Sequence, residues 1–259
     1  MVSGTGKRLE GRVAIVTGGG HGIGKAYARR LAEEGASVVI AELNKEAAEQ
    51  VAAELKEAGF QALAVQTDVG SEESLQRMVE TTISAYGRID ALINNAAIFA
   101  TIPISRSGFD QINPEEWDLV MNINVKGTWL ACRAVVPEMK KVGKGKIITI
   151  ASGTAFHGTG GRIHYVASKA AIVGFTKTLA RELGEFEINV NCIAPGSTLS
   201  EKDASDELLK YRQSKSSTRA LKRMQTPNDL VGTVAFLCSD DSDFITGQTI
   251  VVDGGNHMH

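Results

Sequence analysis

The stretch VAIVTGGGHGIGKAYARRLAEEGASVVIAE, residues 13–42, decides how this chain folds. Its first five residues, VAIVT, are a short β-rich run. The glycine-rich segment GGGHGIG, 18–24, follows and opens a helical pattern that runs through Glu34. Gly35 stops that helix, and SVVIA at 37–41 reads as a second strand. Strand, glycine turn, helix and strand within about thirty residues make the β-α-β unit of a dinucleotide-binding fold. The glycines have separate jobs. Gly18 allows the tight turn, Gly22 lets backbone N–H groups approach a pyrophosphate, and Gly24 lets the helix pack close to the strand. The helix start then offers unbonded N–H groups and a positive dipole end to phosphates. A glycine-rich turn with no ligand would use the same residues, so the flanking strand and helix carry the reading.

Glu42 closes the second strand, 24 residues after Gly18. A carboxylate there accepts hydrogen bonds from a ribose 2′-hydroxyl and repels a 2′-phosphate. Leu43 and Asn44, next in line, supply no cation for that phosphate. His21 is the nearby candidate, and a histidine is mostly neutral at pH 7. The expected cofactor is therefore NAD rather than NADP. A solvated acid at a strand end is the plainer alternative for Glu42.

Composition bounds the rest. The 259 residues suit one large α/β domain; 43% are apolar, 22% are charged and the net charge is −2. That charge argues against nucleic acid or an anionic membrane surface as a general partner. No apolar run reaches bilayer length, and residues 1–12, MVSGTGKRLEGR, lack the apolar core of a signal peptide. Cys132, Cys192 and Cys238 are odd in number and without metal-ligand spacing. They read as buried free thiols in a reducing cytoplasm. No metal ligand is expected; His257 and His259 lie in a tail that reads as frayed.

The strand–helix alternation continues along the chain. A helix over 44–58 leads to strand ALAVQ, 62–66, then Thr67-Asp68-Val69. A helix over 72–86 leads to IDALIN, 89–94, which ends in Asn94-Asn95-Ala96-Ala97. Asp68 and Asn95 thus fall at strand C-terminal ends, where open α/β sheets bind ligands. Asn113-Pro114 starts a helix that runs to about Met139 and carries Asn124 inside it. A buried asparagine there needs partners, from water or from backbone at a kink. Further on come strand EINVNCIA, 187–194, the pair Pro195-Gly196, a polar segment at 197–225 that reads as a substrate lid, and a last strand in GQTIVVDGG, 247–255. Repeated βα units point to one doubly wound parallel sheet in a single domain covering 1–259.

Between strand KIITIA, 146–151, and a helix over 165–183 lies SGTAFHGTGGRIHYVASK, residues 152–169. Tyr165 and Lys169 are four apart and share a helix face. A phenol of pKa about 10 is a poor base at neutral pH, and a fixed cation favours its phenolate. Bringing it into the neutral range takes roughly 4 kcal/mol. A solvated Tyr and Lys on a surface helix would show the same spacing. Phe99, Phe156, His157, Arg162 and His164 are candidate pocket residues. The lid cations Lys202, Lys210, Arg212, Lys215 and Arg219 fit either an anionic substrate or a solvated face.

Taken together, TGGGHGIG (17–24), Asp68-Val69, NNAA (94–97), Asn124, Ser152, YVASK (165–169), Pro195-Gly196 and FITGQTIVVDGG (244–255) strongly resemble the short-chain dehydrogenase/reductase family over about residues 9–255. The resemblance implies a Rossmann-like sheet of seven parallel strands, and a homo-oligomer, commonly a tetramer. It also implies roles. Tyr165 matches the general acid/base and Ser152 the residue that bonds the substrate oxygen. Lys169 matches the residue that lowers the tyrosine pKa and holds the nicotinamide ribose. Asn124 matches the residue that holds a water in a proton relay. Gly18, Ile23, Gly24, Glu42, Asp68, Val69, Asn95 and Thr198 match cofactor contacts; His21, Leu43, Pro195 and Gly196 lie beside them. The chain departs from the common NNAG at Ala97, and either Thr198 or Ser200 could hold the nicotinamide amide. The expected activity is NAD-dependent interconversion of a small secondary or aromatic alcohol and its carbonyl. An NADPH-dependent 3-oxoacyl-thioester reductase and a non-catalytic nucleotide sensor on the same fold are the alternatives.

Overall fold

The computed structural model describes residues 7–99, 104–201 and 204–258. Seven parallel strands form one sheet in the order β3-β2-β1-β4-β5-β6-β7. They are β1 Val13–Thr17, β2 Ser37–Glu42, β3 Ala62–Gln66, β4 Ala91–Asn94, β5 Gly145–Ile150, β6 Ile188–Pro195 and β7 Thr249–Val252. The helices are α1 Gly22–Glu33, α2 Lys45–Glu57, α3 Glu72–Tyr86, α4 Pro114–Met121, α5 Gly127–Val142, the single turn α6 Thr154–His157, α7 Ile163–Leu183, α8 Asp206–Ser216 and α9 Asn228–Cys238. This is the expected doubly wound Rossmann-like single domain.

The strands are buried on both faces, so they read as continuous apolar runs. In β1 the period-2 alternation still sorts side chains. Ala14 and Val16 face one core with Leu31, Ile40, Val51 and Leu237, while Val13 and Ile15 face the other with Met78, Leu92, Val135 and Met139. The helices start where capping chemistry places them. The Asn44 side chain accepts from the Ala47 N–H at 2.9 Å, Ser71 caps α3 and Asn113 caps α4 just before Pro114. Gly87 ends α3 with φ of 75°, where a side chain would be strained.

The long helix expected from Asn113 to Met139 is interrupted. Residues Asn122–Lys126 form a π-turn between α4 and α5. Asn124 causes no unpaired burial there: its Oδ1 accepts from Ile98 N at 2.8 Å and its Nδ2 donates to Ser168 Oγ at 3.1 Å. The wide turn lets this polar side chain reach both the β4 loop and α7, so the partners are backbone and a serine hydroxyl.

Strand order reverses between β1 and β4, and the C-terminal ends of the strands there form the crevice that ligands of such sheets use. The opposite edge of the same layer is tied by charge. Glu34, just past α1, takes Arg8 at 2.6 Å and Arg30 at 2.7 Å, and the two guanidinium groups lower its carboxyl pKa to about 2. A carboxylate pKa held below its unfolded value adds stability above pH 4.5, and that stability is lost as the pH falls through about 2. Glu34→Gln is expected to lower the unfolding free energy at pH 7 by about 1 kcal/mol after solvent screening. Denaturant titrations at pH 7 and pH 3 will show the deficit shrinking at the lower pH; a constant deficit would mean packing, not charge, holds this edge.

Candidate functional site

The glycine turn is shaped by lack of side chains. At Gly24 a methyl would overlap the Gly18 carbonyl and press on the Asn95 amide. At Gly18, with φ of +62°, it would lie 2.9 Å from the Ala96 Cα. Backbone therefore touches backbone where α1 leaves β1. Asn95 locks the arrangement: its Nδ2 donates to the Thr17 and Gly18 carbonyls at 3.1 and 3.0 Å. The Thr17 hydroxyl accepts from Asn95 N and Ala96 N at 3.0 and 3.1 Å. Asn95, expected as a cofactor contact, thus spends its side-chain amide on the turn itself. The N–H groups of Ile23 and Gly24 have no acceptor among the described residues, and they open the helix. A dinucleotide pyrophosphate fits this cradle: two free donors, a dipole end and no Cβ in the way.

Around the turn, Glu42 curls back from the end of β2. Its carboxylate accepts from Gly20 N at 3.1 Å and Asn44 N at 3.2 Å. Leu43 and His21 are exposed beside it. Asp68 is exposed and bonds Gly70 N at 2.8 Å, while Val69 is buried against Gly127. Pro195 ends β6, and a Cβ on Gly196 would meet Asp253 and Gln225 at 2.7 Å. The two hydroxyls left open by the sequence behave differently. Thr198 Oγ1 donates to the Gly196 carbonyl at 3.1 Å, whereas Ser200 lies against Gly22, 3.2 Å from where its Cβ would stand.

Ser152, at the end of β5, meets Tyr165 and Lys169 of α7. Ser152 acts to lower the Tyr165 phenol pKa, and its Oγ accepts from Thr154 Oγ1 at 3.0 Å. Lys169 is buried, donates from Nζ to the Ile150 carbonyl at 2.8 Å and lies 5.8 Å from the Tyr165 ring centre. Burial pushes its pKa down to about 8. Burial also pushes the Tyr165 pKa up. Desolvation outweighs Ser152 and the fields of Arg162 and Arg212, which act in the opposite direction.

The pocket side of Tyr165 holds several residues singled out from the sequence. Phe99 stacks on the Tyr165 ring at 4.6 Å, and Arg162 lies over Phe99 at 5.3 Å. His164 instead points away from solvent and pairs with Glu116 at 2.8 Å. His157 and His257 stack at 4.2 Å, and His257 bonds Asp253 at 2.7 Å, so the tail is ordered at this position rather than frayed. Lys202 and His259 lie outside the described residues. The burial of Arg162, Arg212 and Arg219 was not legible locally, because each sits in a polar stretch and is buried by distant segments.

Comparison with known proteins agrees with this geometry. The family model described as "Enoyl-(Acyl carrier protein) reductase" matches residues 18–257. The chain is 39% identical over 258 residues to dehydrogenase/reductase SDR family member 4 of Bos taurus, covering 97% of this chain and 89% of that protein. It is 38% identical to (2S)-[(R)-hydroxy(phenyl)methyl]succinyl-CoA dehydrogenase subunit BbsD of Thauera aromatica, covering 96% and 98%. A crystal structure of 3-ketoacyl-(acyl-carrier-protein) reductase from Brucella melitensis complexed with NADH superposes with a TM-score of 0.86 at 34% identity, covering 96% of this chain and all of that one. With its seven-stranded parallel sheet, glycine turn and Ser152–Tyr165–Lys169 cluster, the chain belongs to the short-chain dehydrogenase/reductase family of oxidoreductases.

Proposed function

We propose that this protein is an NAD-dependent oxidoreductase that interconverts a small secondary or aromatic alcohol and its carbonyl, with Tyr165 as general acid/base. The observation that carries the reading is the meeting of Ser152, Tyr165 and buried Lys169 at the same strand ends as the glycine turn. Bound on that turn, a nicotinamide dinucleotide supplies the hydride acceptor or donor. The chain supplies the rest. Gly18, Ile23, Gly24 and Ser200 hold the pyrophosphate side, and Asp68 and Val69 flank the base. Pro195, Gly196 and Thr198 border the nicotinamide. In the oxidation direction the Tyr165 phenolate takes the alcohol proton as the carbinol carbon gives up its hydride. Ser152 hydrogen-bonds the oxygen as it becomes a carbonyl. Lys169 lends positive charge to the phenolate. Asn124 serves the proton path behind it by holding Ser168, the residue before Lys169.

The preference for NAD rests on Glu42, which stands where a 2′-phosphate would need a cation, with exposed Leu43 and His21 as its neighbours. A second reading, an NADPH-dependent 3-oxoacyl-thioester reductase, draws on the similarity to the Brucella protein, whose structure nevertheless holds NADH. The segment at 197–225, with α8 at its centre, is the proposed lid. The three buried free thiols fit a reducing compartment such as the cytoplasm. No helix among the described residues is long and apolar enough to cross a membrane. An apolar groove lined by Met121, Val125, Trp129 and Phe175, with Trp117 and Leu119 exposed on the preceding helix, fits contact with further copies of the chain.

Three measurements test this. Fluorescence titration is expected to give NADH at least tenfold tighter binding than NADPH, about 1.4 kcal/mol; equal affinities would move the reductase reading ahead. Tyr165→Phe is expected to cut turnover by about 10²–10⁴-fold while NADH binding is kept. Full activity in that variant would remove the proposed chemistry. Light scattering is expected to give about 110 kDa, four copies of the 27.6 kDa chain; a single-chain mass would leave the groove for another use.

A further inference from the structure

Two largely buried arginines, Arg162 and Arg212, act on Tyr165 through their charge, and the proton chemistry does not require them. Arg162 immediately precedes α7, three residues before Tyr165, and is only 8% exposed. It caps the ring pair formed by Phe99 and Tyr165, 5.3 Å from the Phe99 centroid. Among the described residues its guanidinium makes no ion pair or hydrogen bond, and its nitrogens keep contact with solvent. Arg212 comes in from α8 and is 9% exposed. Its Nη1 donates to Ser197 Oγ at 3.0 Å and its Nη2 to Glu201 Oε1 at 2.8 Å. Its Nε is fully buried and has no acceptor.

The charges do not balance. Two guanidinium groups are matched by one carboxylate, Glu201, which also accepts from Ser200 N at 2.9 Å. Asp253 does not make up the difference, because it is bonded by His257 and by the backbone N–H groups of Gly255 and Asn256. Arg219 shows what a satisfied buried arginine looks like nearby: it donates to the Ser197 and Arg223 carbonyls. Arg162 is left with residual water and the aromatic face of Phe99, both weaker partners for a guanidinium than an anion would be. An arginine fork is built to hold a planar anion in two parallel hydrogen bonds.

We propose that Arg162 and Arg212 form an anion subsite that receives a carboxylate carried by the substrate, a few bonds from the carbon that exchanges hydride. The substrate class is then a hydroxy acid and its oxo acid rather than a neutral alcohol. Phe99 sits between Arg162 and the reacting end and packs on the connecting carbons. The proposal rests on Tyr165 being the proton acid/base, and it narrows the substrates that this site takes. Two other uses of the same charge make different demands. If the arginines served only the phenolate, acids and neutral alcohols would profit equally. If they held a cofactor phosphate, their loss would weaken NADH binding.

The test uses the full chain with NAD. Hydroxy acids with the carboxylate two to four bonds from the carbinol are each compared with their primary amides, in wild type, Arg162→Gln, Arg162→Lys and Arg212→Gln. Wild type is expected to prefer the acid in kcat/KM by about tenfold to a hundredfold, as for a lost charge-assisted hydrogen bond. Arg162→Gln is expected to erase most of that preference, chiefly through KM, and Arg162→Lys to restore part of it. NADH affinity stays within about twofold in every variant, which also reports that each has folded. In parallel, succinate and benzoate are titrated into the NADH-bound protein and the melting temperature followed. Stabilisation by these anions that Arg162→Gln removes supports the subsite even if no alcohol in the panel is turned over. That pattern would count against the Tyr165 reading alone. The proposal is overturned if acids and amides are used equally, if the preference survives Arg162→Gln, if only the pH profile moves, or if NADH binding falls with the arginines.

Discussion

Backbone pressed against backbone at the first strand end is the constraint on which this structure depends. Where β1 turns into α1, the Gly24 Cα lies so close to the Gly18 carbonyl that no side chain fits between them. The cost of such a turn is met by hydrogen bonds from outside it. Asn95 reaches across from the end of β4 to the Thr17 and Gly18 carbonyls, and the Thr17 hydroxyl answers with two bonds to the β4 loop. The turn and the neighbouring strand end are thereby one unit. The crevice between β1 and β4 is held open with donors at its floor, because the groups that could have closed it are already spent on each other.

The second half of the site is governed by desolvation. Tyr165 and Lys169 are both buried, and burial moves them in opposite directions: the phenol up and the ammonium down to about 8. Both shifts favour the neutral forms, as a low-dielectric pocket requires. The cations that lower the Tyr165 pKa are Arg162 and Arg212, one from the entrance to α7 and one from α8.

Much of this was legible in the chain because it is local. The alternation of strand runs and helices, the capping residues Asn44, Ser71 and Asn113, and the spacing of Tyr165 and Lys169 all follow from short-range rules. Gly18 and Gly24 are needed by the turn they stand in, so their positions alone announce it. The asparagine in the fourth helical segment was readable as a problem in need of partners, but the π-turn that solves it was not. That solution depends on Ile98 and Ser168, 26 and 44 residues away.

The sequence by itself determined the parallel α/β class and the glycine cradle, because these rest on periodicity and on conformational freedom, whereas Asn124, Ser152, Tyr165 and Lys169 were singled out together by the family resemblance. Tertiary structure alone decided that Asn95 braces the turn, that Ser200 rather than Thr198 lies against Gly22, and that Arg162, Arg212 and Arg219 are buried. Burial is a property of what distant segments cover. A guanidinium in a polar stretch carries no local mark of whether it will end in water or be buried, and that difference sets both its cost and its use.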